Sequence, residues 1–244
     1  VAYTDSTPIT LEDDLTIENE GPLTLGGVIS DSGGSFGLTL NAQDATDTLT
    51  LSEQTKTVIY SGATTIDHGT LILSRGANPP GPQGTVTINN GGTLAFGHFN
   101  QLSKDGSIPD VVVNSGGVID SSATVTTFDN LTLNGGTLES KGGLNTAWGS
   151  FVVLDAVTVT ADSLIEDVSG SDNLITPGDF NGNRTLTFDI ASGVTLTNEL
   201  GIADYNSGAG NTYSIVKDSD GTLTQANAES NAYSGTLTVS DGTL

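Results

Sequence analysis

Short runs in which Val, Ile or Leu alternates with Thr or Ser recur along the whole chain, separated by clusters of Gly, Asn, Asp and Ser. Period-two alternation over a few residues predicts strands with one face turned inward and the other toward water. No segment carries the periodicity and end caps of a helix. Three segments, VTINNGGTLAF (86–96), VVVNSGGVID (111–120) and LTLNGGTLES (131–140), repeat one order: strand, Asn-containing glycine turn, strand. The first glycines of these turns, Gly91, Gly116 and Gly135, lie 25 and 19 residues apart. The same turn chemistry returning at an irregular period near twenty predicts the coils of a parallel β-solenoid with loops of variable length. Asn89, Asn114 and Asn134 hold equivalent places before their glycines, where stacked coils would set the amides one above another as a ladder.

A longer self-match joins the two halves of the chain. YSGATTIDHGTL (60–71) laid over YSGTLTVSDGTL (233–244) gives seven identities in twelve positions, with Ile66 opposite Val239 as an apolar match. Tyr60 and Tyr233 share one repeat position, which predicts a shared packing role. Residues 97–110 (GHFNQLSKDGSIPD) are expected to leave the stack as a loop, and 162–184 to be irregular. Neither stretch has the composition of a flexible linker. Residues 1–244 therefore read as one all-β solenoid domain, with repeat-like units near 9–76 and 226–244 and looser coils between.

Charge narrows the classes of partner. There are 29 acidic residues against 6 basic ones, a net of −23. Such a surface is not drawn to nucleic acid or anionic lipid, stays soluble and attracts divalent cations. Without cysteine there is no disulfide, zinc thiolate or thiol chemistry. There is no methionine either, so a processed or cut piece, with a leader removed before Val1, is expected. No apolar run approaches the roughly 20 residues of a membrane span.

Residues 49–74 resemble the autotransporter-associated β-strand repeat, whose consensus runs close to L-T-L-S-G-x-N-T-Y-x-G-x-T-T-I-x-x-G-T-L-x-L. Leu49, Leu51, Tyr60, Gly62, Thr64, Thr65, Ile66, Gly69, Thr70, Leu71 and Leu73 carry the pattern, and LTLGGVISDSGG (23–34) resembles the segment that usually precedes it. EQTKTVI (53–59) stands where the family has Gly-x-Asn-Thr. The resemblance covers 9–76 well and 226–244 in part. It implies a right-handed parallel β-helix exported to the surface of a Gram-negative-type cell, and no particular activity.

Each cluster of reactive residue types also has a plainer reading. Asp67 and His68 invite comparison with an acid–base dyad, but Ser240 and Asp241 replace them in the second copy, so they read as turn residues. GDFNGNRTLTFD (178–189) places Asp179, Asn181 and Asn183 at alternate positions like a calcium loop, yet its twelfth position would be Ile190 and Asp189 falls one residue early. KDSDG (217–221) and LEDD (11–14) read as turn acids able at most to hold a water-rich calcium ion. Asn130 and Asn183 begin N-x-T sequons, and Trp148 reads as an anchor under a loop rather than a sugar-stacking ring. No nucleophile elbow and no phosphate loop is present. No catalytic, cofactor-binding or metal-binding residue is therefore assigned.

The expectation is a non-enzymatic structural or adhesive element outside a bacterial cell. The last motif stops at SDGTL, as a cut through a longer passenger or an end completed by another molecule would leave it; on the second reading copies associate head to tail through the N-terminal segment, and a cell-surface glycan or protein is the other partner expected. The competing reading is a β-helical polysaccharide lyase or glycoside hydrolase, which would need converging carboxylates.

Overall fold

The structure, a computed structural model, describes residues 2–52, 60–76, 81–102, 108–121, 124–141, 150–168, 174–178, 182–204, 210–226 and 231–244. Regular structure among them is strand, with no helix. Every ladder between these strands is parallel, so the chain winds as the β-solenoid that the alternation predicts.

One turn of the winding shows how sequence becomes architecture. The chain runs along Val111–Asn114, bends through Gly116 into Val118–Asp120, then reaches Thr126–Asn134, whose second half lies on the strand where the turn began. Val111 faces Leu131 and Val113 faces Leu133. Thr137–Ser140 repeats the step on Val118–Asp120. The solenoid thus has a first side (Leu15–Ile17 through Leu237–Val239), a second side (Tyr3–Asp5 through Thr222–Gln225), and a less regular third. On the third, Ile9–Leu11 lies on Ile29–Asp31 and Phe151, Ile175 and Ile202 stack in register.

Alternation fixes which residues enter the core. On the first side Ile66, Ile88, Val113, Leu133, Val159 and Ile190 form one in-register column. Leu49, Leu71, Leu94, Ile119, Leu138 and Ile165 form its counterpart on the second. All twelve are at most 1% exposed, and each contributes about 1.5–3 kcal/mol on burial. A single turn could not shield its own apolar face. Stacking does, and one core cluster runs from Leu11 to Leu223.

The turns between the first two sides need glycine. Gly69, Gly91, Gly116 and Gly135 have φ of 89°, 85°, 76° and 84°, a left-handed conformation that side chains with a Cβ resist.

Two expectations are corrected. Residues 97–102 stay in the stack, because Gln101 and Leu102 are fully buried and Gln101 Oε1 accepts the Arg75 N–H at 2.8 Å. The hydrophilic look of this stretch hides a glutamine spent on the neighbouring turn, where its Nε2 also donates to the Arg75 carbonyl. Residues 162–184 likewise contain two stacked strands, Ser163–Asp167 and Leu174–Pro177. Part of each stretch (103–107, 169–173 and 179–181) lies outside the described residues.

Candidate functional site

The predicted asparagine ladder exists, and Asp67 belongs to it. Asn89 Nδ2 donates to Asp67 Oδ1 at 2.7 Å, Asn114 Nδ2 to Asn89 Oδ1 at 2.7 Å, and Asn134 Nδ2 to Asn114 Oδ1 at 3.1 Å. Thr160 Oγ1 closes the far end by donating to Asn134 Oδ1 at 3.0 Å. Every amide donates in one direction, so the run needs an acceptor atom at its first member and a donor beyond its last amide. The Asp67 carboxyl oxygen and the Thr160 hydroxyl meet those needs.

His68 serves a different partner. Its Nδ1 lies 2.9 Å from the Ala42 carbonyl oxygen, which only accepts, so the ring donates there. The strand bulges at this point, between Leu40 and Asn41 on the facing strand. Asp67 and His68 are thus each engaged with a neighbouring turn.

Tyr60 is fully buried, with Oη 2.7 Å from Thr64 Oγ1. Burial pushes its pKa up to about 12, against the opposing pull of the Thr64 hydrogen bond and the Arg75 charge. Tyr233 is only partly buried against the core. The two copies share a staple that sequence reading missed. Asp31 Oδ2 accepts the Ser61 N–H at 2.7 Å, and Asp204 Oδ1 accepts the Ser234 N–H at 2.8 Å, each across 30 residues. The available signal was an Ile-x-Asp triplet, 29–31 and 202–204, equally placed before each Tyr-Ser-Gly.

Carboxylates gather on the second side. Asp120, Glu139 and Glu166 stand in register on successive turns. Lys141 Nζ bridges the first two, 2.8 Å from Asp120 and 2.6 Å from Glu139. Burial disfavours its charge, but those two carboxylates outweigh burial and hold its pKa above the usual lysine value. Among the described residues no three His, Asp or Glu converge in a way that could hold a metal. A shallow groove near this column is lined by Gly135, Gly136, Thr137, Ser163, Leu164 and Thr197. The carboxylate at its edge, Asp162, accepts the Thr195 N–H at 2.7 Å.

The remaining candidates resolve as turn chemistry or lie elsewhere. Asp14, in LEDD, accepts the Gly37 N–H of the next turn at 2.7 Å. In KDSDG, Asp218 and Asp220 are exposed beside the turn as read, but Lys217 is not part of that surface. It is fully buried in the column between Phe188 and Val239, and its Nζ donates to the carbonyls of Asp218, Ser219 and Asp241 at 2.7, 2.6 and 3.2 Å. Asn183 Oδ1 accepts the Thr212 N–H at 2.8 Å, whereas Asp179 and Asn181 of the calcium-like loop lie outside the described residues, as does Trp148. Asn130 is exposed and donates to Asp110 at 3.0 Å. No helix among the described residues is long and apolar enough to cross a membrane.

Comparison with protein-family models, with curated proteins and with solved structures finds no match to this chain.

Proposed function

We propose that the chain is a non-enzymatic, extracellular structural or adhesive element of a bacterial cell surface, a passenger-like β-helical stalk. The observation that carries this reading is where the polar side chains go. Asp14, Asp31, Asp47, Asp162 and Asp204 each accept a backbone N–H from an adjacent turn, and the asparagines bond to one another between turns. Side chains that an enzyme would keep unspent for substrate are here used for cohesion along one axis. That suits a body that transmits position and force.

Copies of such a body can associate head to tail. The outermost strands of the first side, Leu15–Ile17 and Leu237–Val239, carry the same Leu-Thr-apolar pattern. Leu237 and Val239 are 41% and 45% exposed, and a further rung of like pattern, from a second copy or from more of the same chain, would cover them. Laterally, the acid-rich surface would meet a glycan or protein of the cell surface.

Negative-stain electron microscopy of the purified protein, paired with a depolymerisation assay on acidic and neutral polysaccharides, tests both parts. Rods with a rise of about 4.8 Å per turn, and no cleavage, are expected. Filaments at high concentration support the end-to-end contact, and uniformly single rods remove it. Chain cleavage of any glycan, abolished by substitution of a second-side carboxylate, would replace the stalk by an enzyme.

A further inference from the structure

The asparagine ladder also decides where this molecule ages. Asn90–Gly91 and Asn134–Gly135 are both Asn-Gly pairs in turns between the first and second sides. In such a pair the backbone nitrogen of the glycine can attack the asparagine Cγ, since glycine offers no Cβ to hinder the approach and moves freely in φ and ψ. The new N–C bond forms a five-membered imide as the side-chain nitrogen leaves as ammonia. Water then opens the ring to aspartate, or to isoaspartate with the chain rerouted through Cγ. One water is consumed and one ammonia released, with no oxidant or reductant.

The two pairs are alike in exposure and in having the attacking nitrogen engaged, and differ in how the asparagine side chain is held. Both asparagines are exposed, so water reaches both. Both attacking nitrogens are engaged, Gly91 N–H with the Gly116 carbonyl at 3.1 Å and Gly135 N–H with Ser163 Oγ at 3.1 Å. Asn134, however, is held at both ends of its amide, donating to Asn114 at 3.1 Å and accepting from Thr160 at 3.0 Å. Cyclisation must break both bonds to swing Cγ onto Gly135. The side chain of Asn90 has no such bond within the described residues. Asn181, which precedes Gly182 in a third pair, lies outside them.

We infer that Asn90 is a spontaneous deamidation and isoaspartate site, and that the ladder protects Asn134 from the same reaction. The product at 90 alters the stack locally. Gly91 packs on the His68 ring, where an added Cβ would sit 2.6 Å from Cδ2, and Gly92 N–H bonds to the Asn89 carbonyl at 2.9 Å. An isoaspartyl link lengthens this turn by one backbone atom and adds a negative charge one residue from Asn89, the ladder member that bonds to Asp67. For an element outside the cell, beyond repair and turnover, that is a built-in mark of age. The inference rests on local geometry and stands whether or not the stalk reading does.

Peptide mapping tests it, because the few basic residues divide the chain conveniently. Cleavage after Arg75, Lys104 and Lys141 puts Asn90 in peptide 76–104 and Asn134 in 105–141. After prolonged incubation of the folded protein at mildly alkaline pH, peptide 76–104 should gain the mass of amide-to-acid conversion at least about tenfold faster than 105–141, since two hydrogen bonds must open first at Asn134. Fragmentation should place isoaspartate at 90, and Asn90→Gln should remove the signal. In denaturant the two peptides should age at similar rates. Thr160→Val, which takes away one of the two bonds and leaves the core intact, should raise the rate at Asn134. Equal rates in the folded protein, or no reaction at Asn90 while the denatured chain reacts at both sites, would overturn the inference.

Discussion

Tyr60 makes alkaline pH a probe of one buried side chain. Its pKa is pushed from 10.0 up to about 12 by burial, with its hydroxyl on Thr64. The folded value is raised, so the neutral form is favoured by folding. The stabilisation is complete below the unfolded value and is lost as pH rises from 10 to 12, about 2–3 kcal/mol in all. Urea unfolding across that range should show this loss in the wild type and a flatter limb in Tyr60→Phe, which should be about 1 kcal/mol weaker at neutral pH through the orphaned Thr64 hydroxyl. An identical alkaline loss in both proteins would remove Tyr60 as its cause. At the acid end Asp31 has the opposite sign. The Ser61 hydroxyl, then the Ser61 N–H, hold its pKa below 3.8, so its contribution exists above that value and disappears as pH falls through the folded one. A carboxyl titration of Asp31 by NMR should therefore have its midpoint below 3.8. Single residues such as these were the least legible part of the sequence. Lys217 was invisible because its partners are main-chain carbonyls, two in the turn that follows it and one a full turn away, which carry no mark in the side-chain pattern. The Ala42 carbonyl is served by His68 in the first copy, whereas Asp241 replaces that histidine in the second, and the Ser219 carbonyl there is reached by Lys217 from the core.

At the level of strands and turns, legibility follows from locality. Alternation is a property of neighbours in sequence, so the strands could be read; so could the asparagine positions, since each is tied to its own glycine turn. Which residues stack could not, because the separation between bonded partners on adjacent turns varies from 18 residues for Ser121 and Glu139 to 34 for Glu199 and Ile165. No fixed period exists to extrapolate. The ladder and its turns can be broken separately. Asn114→Asp keeps an acceptor for Asn134 but sets a carboxylate oxygen against Asn89 Oδ1, replacing a 2.7 Å hydrogen bond by repulsion between acceptors. It should cost about 1–3 kcal/mol at neutral pH and recover part of that on protonation. Gly91→Ala acts on the turn, through a φ of 85° and a Cβ against the His68 ring, at about 1–2 kcal/mol with no such pH dependence. Denaturant midpoints at neutral and acid pH distinguish the two. A pH-independent Asn114→Asp would mean that the ladder contributes nothing through its hydrogen-bond polarity.

For the molecule as a whole, the solenoid turns a composition into a field. Stacking places residues of successive turns about 4.8 Å apart, so carboxylates remote in sequence become immediate neighbours. Asp120, Glu139 and Glu166 are such a column, and Lys141 compensates only the first two. With a net charge of −23, the same repulsion is repeated in weaker form along the whole rod. The fold is thus held by its apolar columns against its own surface, and the opposing force is one that salt removes. The melting temperature should rise between about 0.01 M and 0.15 M NaCl as the screening length shrinks from about 30 to 8 Å. Glu166→Gln should stabilise at the lower concentration and become neutral near 1 M, where screening has already removed what the substitution removes. Calcium chloride separates this field from a binding site. Matched to NaCl in ionic strength, it should add little if the carboxylates act only as a distributed charge. A large excess stabilisation that disappears in Glu166→Gln would show instead that the column gathers a divalent ion. A melting temperature indifferent to salt would mean that the turns carry their charges too far apart for repulsion to matter.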